Sequence, residues 1–254
     1  MYLGEVKIQG NYLLSIDHDN GICLVDISDP TNPVYCCSFS DSSVSFRTLY
    51  IRDTVLFAGN YKIYTLNISD STNLSIISSF DLYGWRSSKK LFVFNNYLFV
   101  SINYNSTFHV YDISDLANPS FIVETGSESG DAGIFVRDNY TFVAGWEGFY
   151  IYDDTDILNP ILLYRDNSTA MVGHDIFVDG NFVYLIDNSV DLRVLDFTDP
   201  YRAVERGYYK DLSTIWFAAA KDSFVCVYFS TSMTSGIKVF DVRVPENPIL
   251  VKND

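Results

Sequence analysis

Three features of the sequence predict an all-β fold built from six similar four-stranded sheets. The first is a recurring phrase: VDISDPTNP at 25–33, VYDISDLANP at 110–119 and VFDVRVPENP at 239–248. Looser copies lie between them, TLNISDSTN at 65–73, IYDDTDILNP at 151–160 and VLDFTDPYR at 194–202. The second is a turn dipeptide upstream of each copy: Gly10-Asn11, Asp53-Thr54, Asn95-Asn96, Asp138-Asn139, Gly180-Asn181 and Asp222-Ser223. The third is the character of the segments around those turns. They are apolar almost without alternation, as in LFVFNNYLFVSI at 91–102.

Each feature has a physical reading. The anchoring residues Asp26, Asn67, Asp112, Asp153, Asp196 and Asp241 recur every 41–45 residues, a period typical of arrays with one small sheet per repeat. The turn dipeptides are mostly Gly, Asn or Asp, which tolerate the positive φ of tight hairpins. They join the first two strands of each unit. The apolar run before the anchor, such as GICLVDI at 21–27, is the third strand. The phrase itself is a turn in which Asx side chains bond nearby backbone N–H groups. Pro33, Pro119, Pro160 and Pro248 then begin the fourth strand, the outer position that a residue without an N–H tolerates. Near-continuous apolarity implies burial on both faces of each sheet. One unit cannot cover both faces, so the units pack face to face. No segment shows a 3.6-residue period, so almost no helix is expected. Six such units form a six-bladed β-propeller, four antiparallel strands per blade. The expected blades are 5–40, 45–81, 88–125, 131–166, 173–209 and 214–254, in a single domain closed by blade-face packing.

Composition fits this reading and narrows the function. Of 254 residues, 48% are hydrophobic and 16% aromatic, enough for a large core of strand-favouring residues. The formal net charge of −15 opposes nucleic acid and anionic membranes. No apolar stretch approaches the ~18 residues of a membrane-spanning helix, so no membrane insertion is expected. The N-terminus MYLGEVKIQG lacks a basic region followed by an apolar run, so no signal peptide is read there. Cys23, Cys36, Cys37 and Cys226 have no metal-site spacing and are read as small buried hydrophobes.

The phrases GICLVDISDPTNPV, FHVYDISDLANPSFIV and HDIFVDGNFVYLIDNSVDLRVLDFTDP resemble the LVIVD repeat family. The resemblance implies a propeller of the kind found in bacterial and archaeal proteins, many of them at the cell surface. It implies no catalytic residues, because the shared motif is structural. This sequence departs from the pattern at Asn67, which replaces the usual acid, and at FSTSMTSG (229–236), which is expected to lengthen one loop.

In a propeller, the loops between blades and those joining second to third strands share one face. That face is expected to carry Trp85 and Arg86 before blade three, Trp146 and Glu147 within blade four, and His18, Tyr61 and Tyr104 in equivalent loops. Arg47, Lys89, Lys90, Asp131, His174, Asp175 and Trp216 enter the inner strands and are expected to ring a channel mouth. Exposed aromatics beside charged groups on a rigid scaffold suit a protein, peptide or carbohydrate ligand. Arg47, Arg86, Lys89 and Lys90 suggest an anionic ligand as a variant. His109, inside a strand, is read as structural. No sequence motif for a hydrolase, nucleotide or dinucleotide site occurs in a suitable context, and no cofactor is expected. The leading expectation is therefore a noncatalytic binding scaffold. One alternative is a hydrolase using Asp131, Asp175, His174 and His18; another is a structural cell-surface or adhesion module.

Overall fold

The structure is a computed structural model that describes residues 3–17, 20–103, 107–126, 133–145, 148–166, 173–187, 192–210, 214–221, 223–230 and 235–253. Among these residues lie six sheets of four antiparallel strands, each in simple meander order. The protein is an all-β six-bladed β-propeller. Blade one holds β1 Leu3–Gln9, β2 Tyr12–Asp17, β3 Gly21–Asp26 and β4 Val34–Phe39. Blade two holds β5 Thr48–Arg52, β6 Val55–Gly59, β7 Lys62–Asn67 and β8 Ser75–Asp81. Blade three holds β9 Ser88–Phe94, β10 Tyr97–Ile102, β11 Thr107–Asp112 and β12 Ser120–Gly126. Blade four holds β13 Gly133–Arg137, β14 Tyr140–Gly145, β15 Gly148–Asp153 and β16 Ile161–Asp166. Blade five holds β17 Gly173–Asp179, β18 Phe182–Asp187, β19 Leu192–Asp196 and β20 Val204–Tyr209. Blade six holds β21 Thr214–Lys221, β22 Phe224–Ser230, β23 Ser235–Asp241 and β24 Ile249–Asn253. The helical content described is one 3₁₀ turn, Tyr83–Trp85.

The recurring phrase does the same work in every blade. The first anchor side chain accepts a bond from the N–H two residues on: Ser28 to Asp26 (2.7 Å), Ser114 to Asp112 (2.8 Å) and Thr198 to Asp196 (2.8 Å). Asn67 accepts the N–H of Ser69 at 2.9 Å. Its amide oxygen replaces the carboxylate without loss of the bond, which explains why the departure at Asn67 leaves the turn intact. The next residue ties the phrase back to the first hairpin, as in Ile27 N–H to Asn11 O (2.7 Å) and Phe197 N–H to Asn181 O (2.9 Å). The hairpin turns use left-handed backbone as expected, with φ of 53° at Asp53, 51° at Asn95 and 55° at Asp138. The prolines sit one residue before the outer strands rather than within them. There a missing N–H costs no ladder bond. In blade six, part of the 229–236 segment extends the ladder, with Phe229 opposite Gly236 and Ser230 opposite Ser235.

By contact, the chain divides into two compact units, Met1–Asn103 with Phe108–Glu124, and Tyr104–Thr107 with Thr125–Asp254. In the first unit, one core joins Leu14, Ile16 and Leu24 of blade one to Leu49, Leu56 and Ala58 of blade two. Another joins Phe57 and Ile63 of blade two to Leu91, Leu98 and Val100 of blade three. Successive residues of β6 thus enter opposite cores, which is why that strand reads as unbroken apolar sequence. The second unit repeats this. One core joins Phe142, Phe149 and Ile151 to Ile176, Val183 and Leu185, and another joins Tyr184, Ile186 and Val194 to Val225, Val227 and Phe240. Arginine clasps add to the packing in both units. The Arg52 guanidinium donates to Asn95 O (2.6 Å) and that of Arg137 to Gly180 O (2.5 Å), each reaching the next blade's hairpin.

Candidate ligand-binding face

In the first unit, backbone bonds hold several of the predicted residues at one end of the blades. The linker from blade two to blade three carries Trp85 and Arg86. Its Leu82 N–H donates to Tyr61 O (2.9 Å), its Ser88 N–H to Asn60 O (2.9 Å), and Asn103 N–H donates to its Ser87 O (2.8 Å). Arg47 N–H donates to Gly59 O at 2.9 Å. The turn Tyr61, the linker 82–88 and the approach to β5 are therefore one stitched surface. Tyr61 and Tyr83 on this surface are 59% and 58% exposed. Arg47 is exposed and Arg86 half-buried.

Lys90 has a role the sequence did not reveal. The inner strands of the three blades meet at Glu5, a buried carboxylate of β1. Glu5 Oε2 accepts from the Thr48 hydroxyl (2.8 Å) and the Leu49 N–H (2.9 Å) on β5. Glu5 Oε1 lies 3.1 Å from Lys7 Nζ and 3.4 Å from Lys90 Nζ on β9. Burial alone raises the pKa of Glu5, but Lys90, Lys7 and the two hydrogen bonds outweigh it and hold the carboxyl at about 2. Lys90 thus carries charge for an internal clasp between the blades of this unit.

In the second unit, Asp175 is on β17 but buried, and its Oδ1 accepts the N–H of Ile176 at 3.0 Å. A Cβ placed on Gly133 would lie 3.1 Å from Asp175 Cα, so the β13 backbone is packed against it. His174 and Trp216 lie on β17 and β21, and Trp85 on the 3₁₀ turn; the side chains of these three lie outside the description. Tyr104, His18, Trp146, Glu147 and Asp131 lie outside the described residues. Cys226, expected to be buried, is exposed, whereas Cys23 is buried.

A register position that the sequence reading passed over gathers chemistry in every blade. Three residues before each anchor stand Cys23, Tyr64, His109, Tyr150, Arg193 and Lys238, all nearly buried. The Tyr64 hydroxyl donates to Asp41 in the linker from blade one. Burial and that carboxylate push the phenol up to about 12. Arg193 donates from Nε to Glu205 Oε2 (2.7 Å) and from Nη2 to Asp166 Oδ2 (3.2 Å), at the end of the preceding blade's outer strand. The Lys238 ammonium lies 4.9 Å from the Phe229 ring centroid. At Tyr64 and Arg193 this position binds chain arriving from the preceding blade. Aligning the six repeats on their anchors would have exposed it, because a polar or ionisable group interrupts otherwise apolar third strands.

Blade four holds another interruption. After the anchor stand Ile27, Ile68, Ile113, Phe197 and Val242, but in blade four the residue is Asp154. It is buried and accepts a hydrogen bond from the Thr141 hydroxyl, while its other oxygen has no hydrogen-bond partner among the described residues. Burial raises its pKa to about 7.

Six meander sheets with a shared turn signature define a repeat propeller. The chain belongs to the LVIVD repeat family, whose repeat model matches residues 2–41, 86–125, 129–163 and 173–211. The remaining blades are those in which Asn67 replaces an anchor acid and Val244 replaces the second acid of the phrase. Among solved structures, the chain is similar to the β-propeller domain of Cps50 (Swd1) from Myceliophteria thermophila, with 12% identity and a TM-score of 0.74 over 97% of this chain and 83% of that one. It is similar to the WD40 propeller domain of Doa1, with 8% identity and a TM-score of 0.72 over 97% and 79%. It is also similar to a hypothetical selenium-binding protein from Sulfolobus tokodaii, with 12% identity and a TM-score of 0.73 over 97% and 75%. At these identities the likeness is one of fold. Among curated proteins, no sequence matches.

Proposed function

We propose that the protein is a noncatalytic binding scaffold that recognises a protein or peptide through the stitched loop surface of its first unit. The observation that carries this reading is the pair of bonds from Leu82 to Tyr61 and from Ser88 to Asn60. They fix a linker and a turn together and leave Tyr61 and Tyr83 more than half exposed. Rigid presentation limits the entropy lost on binding, and exposed Tyr beside Arg is the composition of interface anchors. Trp85, Arg86, Arg47 and Lys89 belong to the same surface; Lys90 acts behind it through Glu5. In the second unit, taken by itself, Trp146, Glu147, His174 and Trp216 are proposed for ligand contact by loop position, as are His18 and Tyr104; Asp175, buried on β17, is left out of the surface.

The test compares wild type with a Tyr61→Ala/Trp85→Ala variant. Immobilised protein is used to capture partners from a native lysate, and captured chains are identified by mass spectrometry and remeasured with purified components. The expected result is a partner held by wild type and lost by a variant with an unchanged melting temperature. Equal capture by both proteins removes this surface from the reading.

A further inference from the structure

The linker that carries Trp85 and Arg86 rests on a buried imidazole. His109 on β11 is fully buried. Its ring meets Tyr83 of the linker edge-on at 6.3 Å and Phe121 of β12 edge-on at 5.5 Å, and Tyr83 stacks on Phe121 at 4.5 Å. On one side, the Tyr83 N–H donates to the Tyr111 hydroxyl oxygen at 3.0 Å, and that hydroxyl lies 3.5 Å from His109 Nδ1. On the other side, His109 Nε2 lies 3.7 Å from Glu124 Oε2, and Glu124 Oε1 lies 3.9 Å from Arg86 Nη2. One end of the 83–86 turn thus reaches Nδ1 through the Tyr111 hydroxyl, and the other faces Nε2 across Glu124, with no hydrogen bond to Nε2 among the described residues.

We propose that His109 is a pH-sensitive pin for the 83–86 turn, and so regulates the binding surface proposed above, on which this inference rests.

The donor pattern dictates how the pin works. The Tyr111 oxygen already accepts from the Tyr83 N–H, so its own proton is free to point at Nδ1. The Glu124 carboxylate facing Nε2 holds the neutral ring's proton on that nitrogen, which leaves Nδ1 bare to accept from the Tyr111 hydroxyl. Protonation adds a proton at Nδ1. Two donors then face each other unless the Tyr111 hydroxyl turns away. The new charge also draws Glu124 from Arg86 toward Nε2, across a gap now longer than a hydrogen bond. Among the described residues, the groups facing the imidazole are Tyr83 and Arg86 from the linker, Tyr111 from its own strand, and Phe121 and Glu124 from β12.

Burial holds His109 below its usual value, with Glu124 opposing and Arg86 adding to the effect. The pinned state contains neutral histidine, whereas a released or unfolded chain binds a proton near the ordinary value of about 6.5. The pin therefore loosens as pH falls below about 6.5 and is whole above it.

The experiment reads the turn without any ligand. In a Trp146→Phe/Trp216→Phe background, Trp85 is the sole indole, and its emission is followed from about pH 7.5 to about pH 4.5, the range in which histidine titrates. The expected result is a sigmoidal change with a midpoint below about 6.5, lost when His109→Gln is added. A flat profile, or the same midpoint without His109, overturns the proposal. Nitrogen-15 NMR of the imidazoles in the otherwise native chain is the second measurement. At neutral pH it should show His109 protonated at Nε2; protonation at Nδ1 overturns the donor pattern and the proposal with it. A failure here leaves the Tyr61→Ala/Trp85→Ala result standing, so the pin and the binding surface fail separately.

Discussion

Replacing Asp154 by isoleucine together with Thr141 by valine should stabilise the protein, and should do so more at alkaline pH than at acid pH. Isoleucine follows the anchor in blades one, two and three. The position equivalent to Thr141 is Leu56, Leu98, Val183 or Val225 in blades two, three, five and six, each fully buried. The double change therefore restores a side-chain pair for which the blade is already shaped, and removing both polar partners avoids an orphaned hydroxyl. The magnitude follows from Asp154, whose pKa rises from 3.8 to about 7 in the folded chain. That difference corresponds to about 4 kcal/mol between the two protonation states. The folded chain holds a proton that the unfolded chain has released, so wild-type stability falls as pH rises from about 4 to about 7, and the deficit is complete above that. Urea unfolding at about pH 8 and about pH 4.5 reads the effect as a difference between the two proteins, so other titrating groups cancel. The expected gain is about 4 kcal/mol at the higher pH and much less at the lower. An equal difference at both values, or a variant less stable than wild type at pH 8, refutes the account of Asp154 as a buried acid held neutral.

Glu5→Gln leaves the Lys90 ammonium, only 15% exposed, facing a neutral amide. Breaking a buried pair this way should cost about 3 kcal/mol at neutral pH. Because the pKa of Glu5 is held at about 2 against an ordinary 4.5, wild type should lose more stability than the variant as pH falls through that interval, with Asp41, Asp196 and the other depressed carboxylates acting equally on both; acid titration followed by circular dichroism reads the difference. Gly207→Ala on β20 should destabilise by about 2 kcal/mol in thermal unfolding through overpacking, because its Cβ would fall 2.5 Å from Pro245 O and 2.9 Å from Glu246 O, both backbone atoms of the next blade. An unchanged melting temperature would mean that blades five and six do not approach so closely.

Arg193 shows how legibility failed. In the sequence it is one basic residue in a strand. In the fold it is tied to Asp166, 27 positions earlier, and to Glu205, 12 positions later. The candidate surface divides in the same way. Its position was legible, because alternating strand direction places Tyr61, Trp85, Arg86 and Arg47 at one end of their blades. The burial of Asp175 and the commitment of Lys90 were not. Asp154 lies between these cases, since comparing the chain with its own repeats marks it at once, yet its protonation depends on surroundings that no single repeat contains.

The sequence by itself determined the strands, the turns and the number of blades. Those rest on chemistry within a few residues: positive φ at Asp53, Asn95 and Asp138, and an anchor oxygen bonded two positions away. Only the tertiary structure decided which charges are neutralised and which polar atoms are buried. Thr48 reaches Glu5 across 43 residues and Lys90 across 85. Such pairs form when blades pack face to face, and the energy of a buried charge depends on the partner that packing supplies.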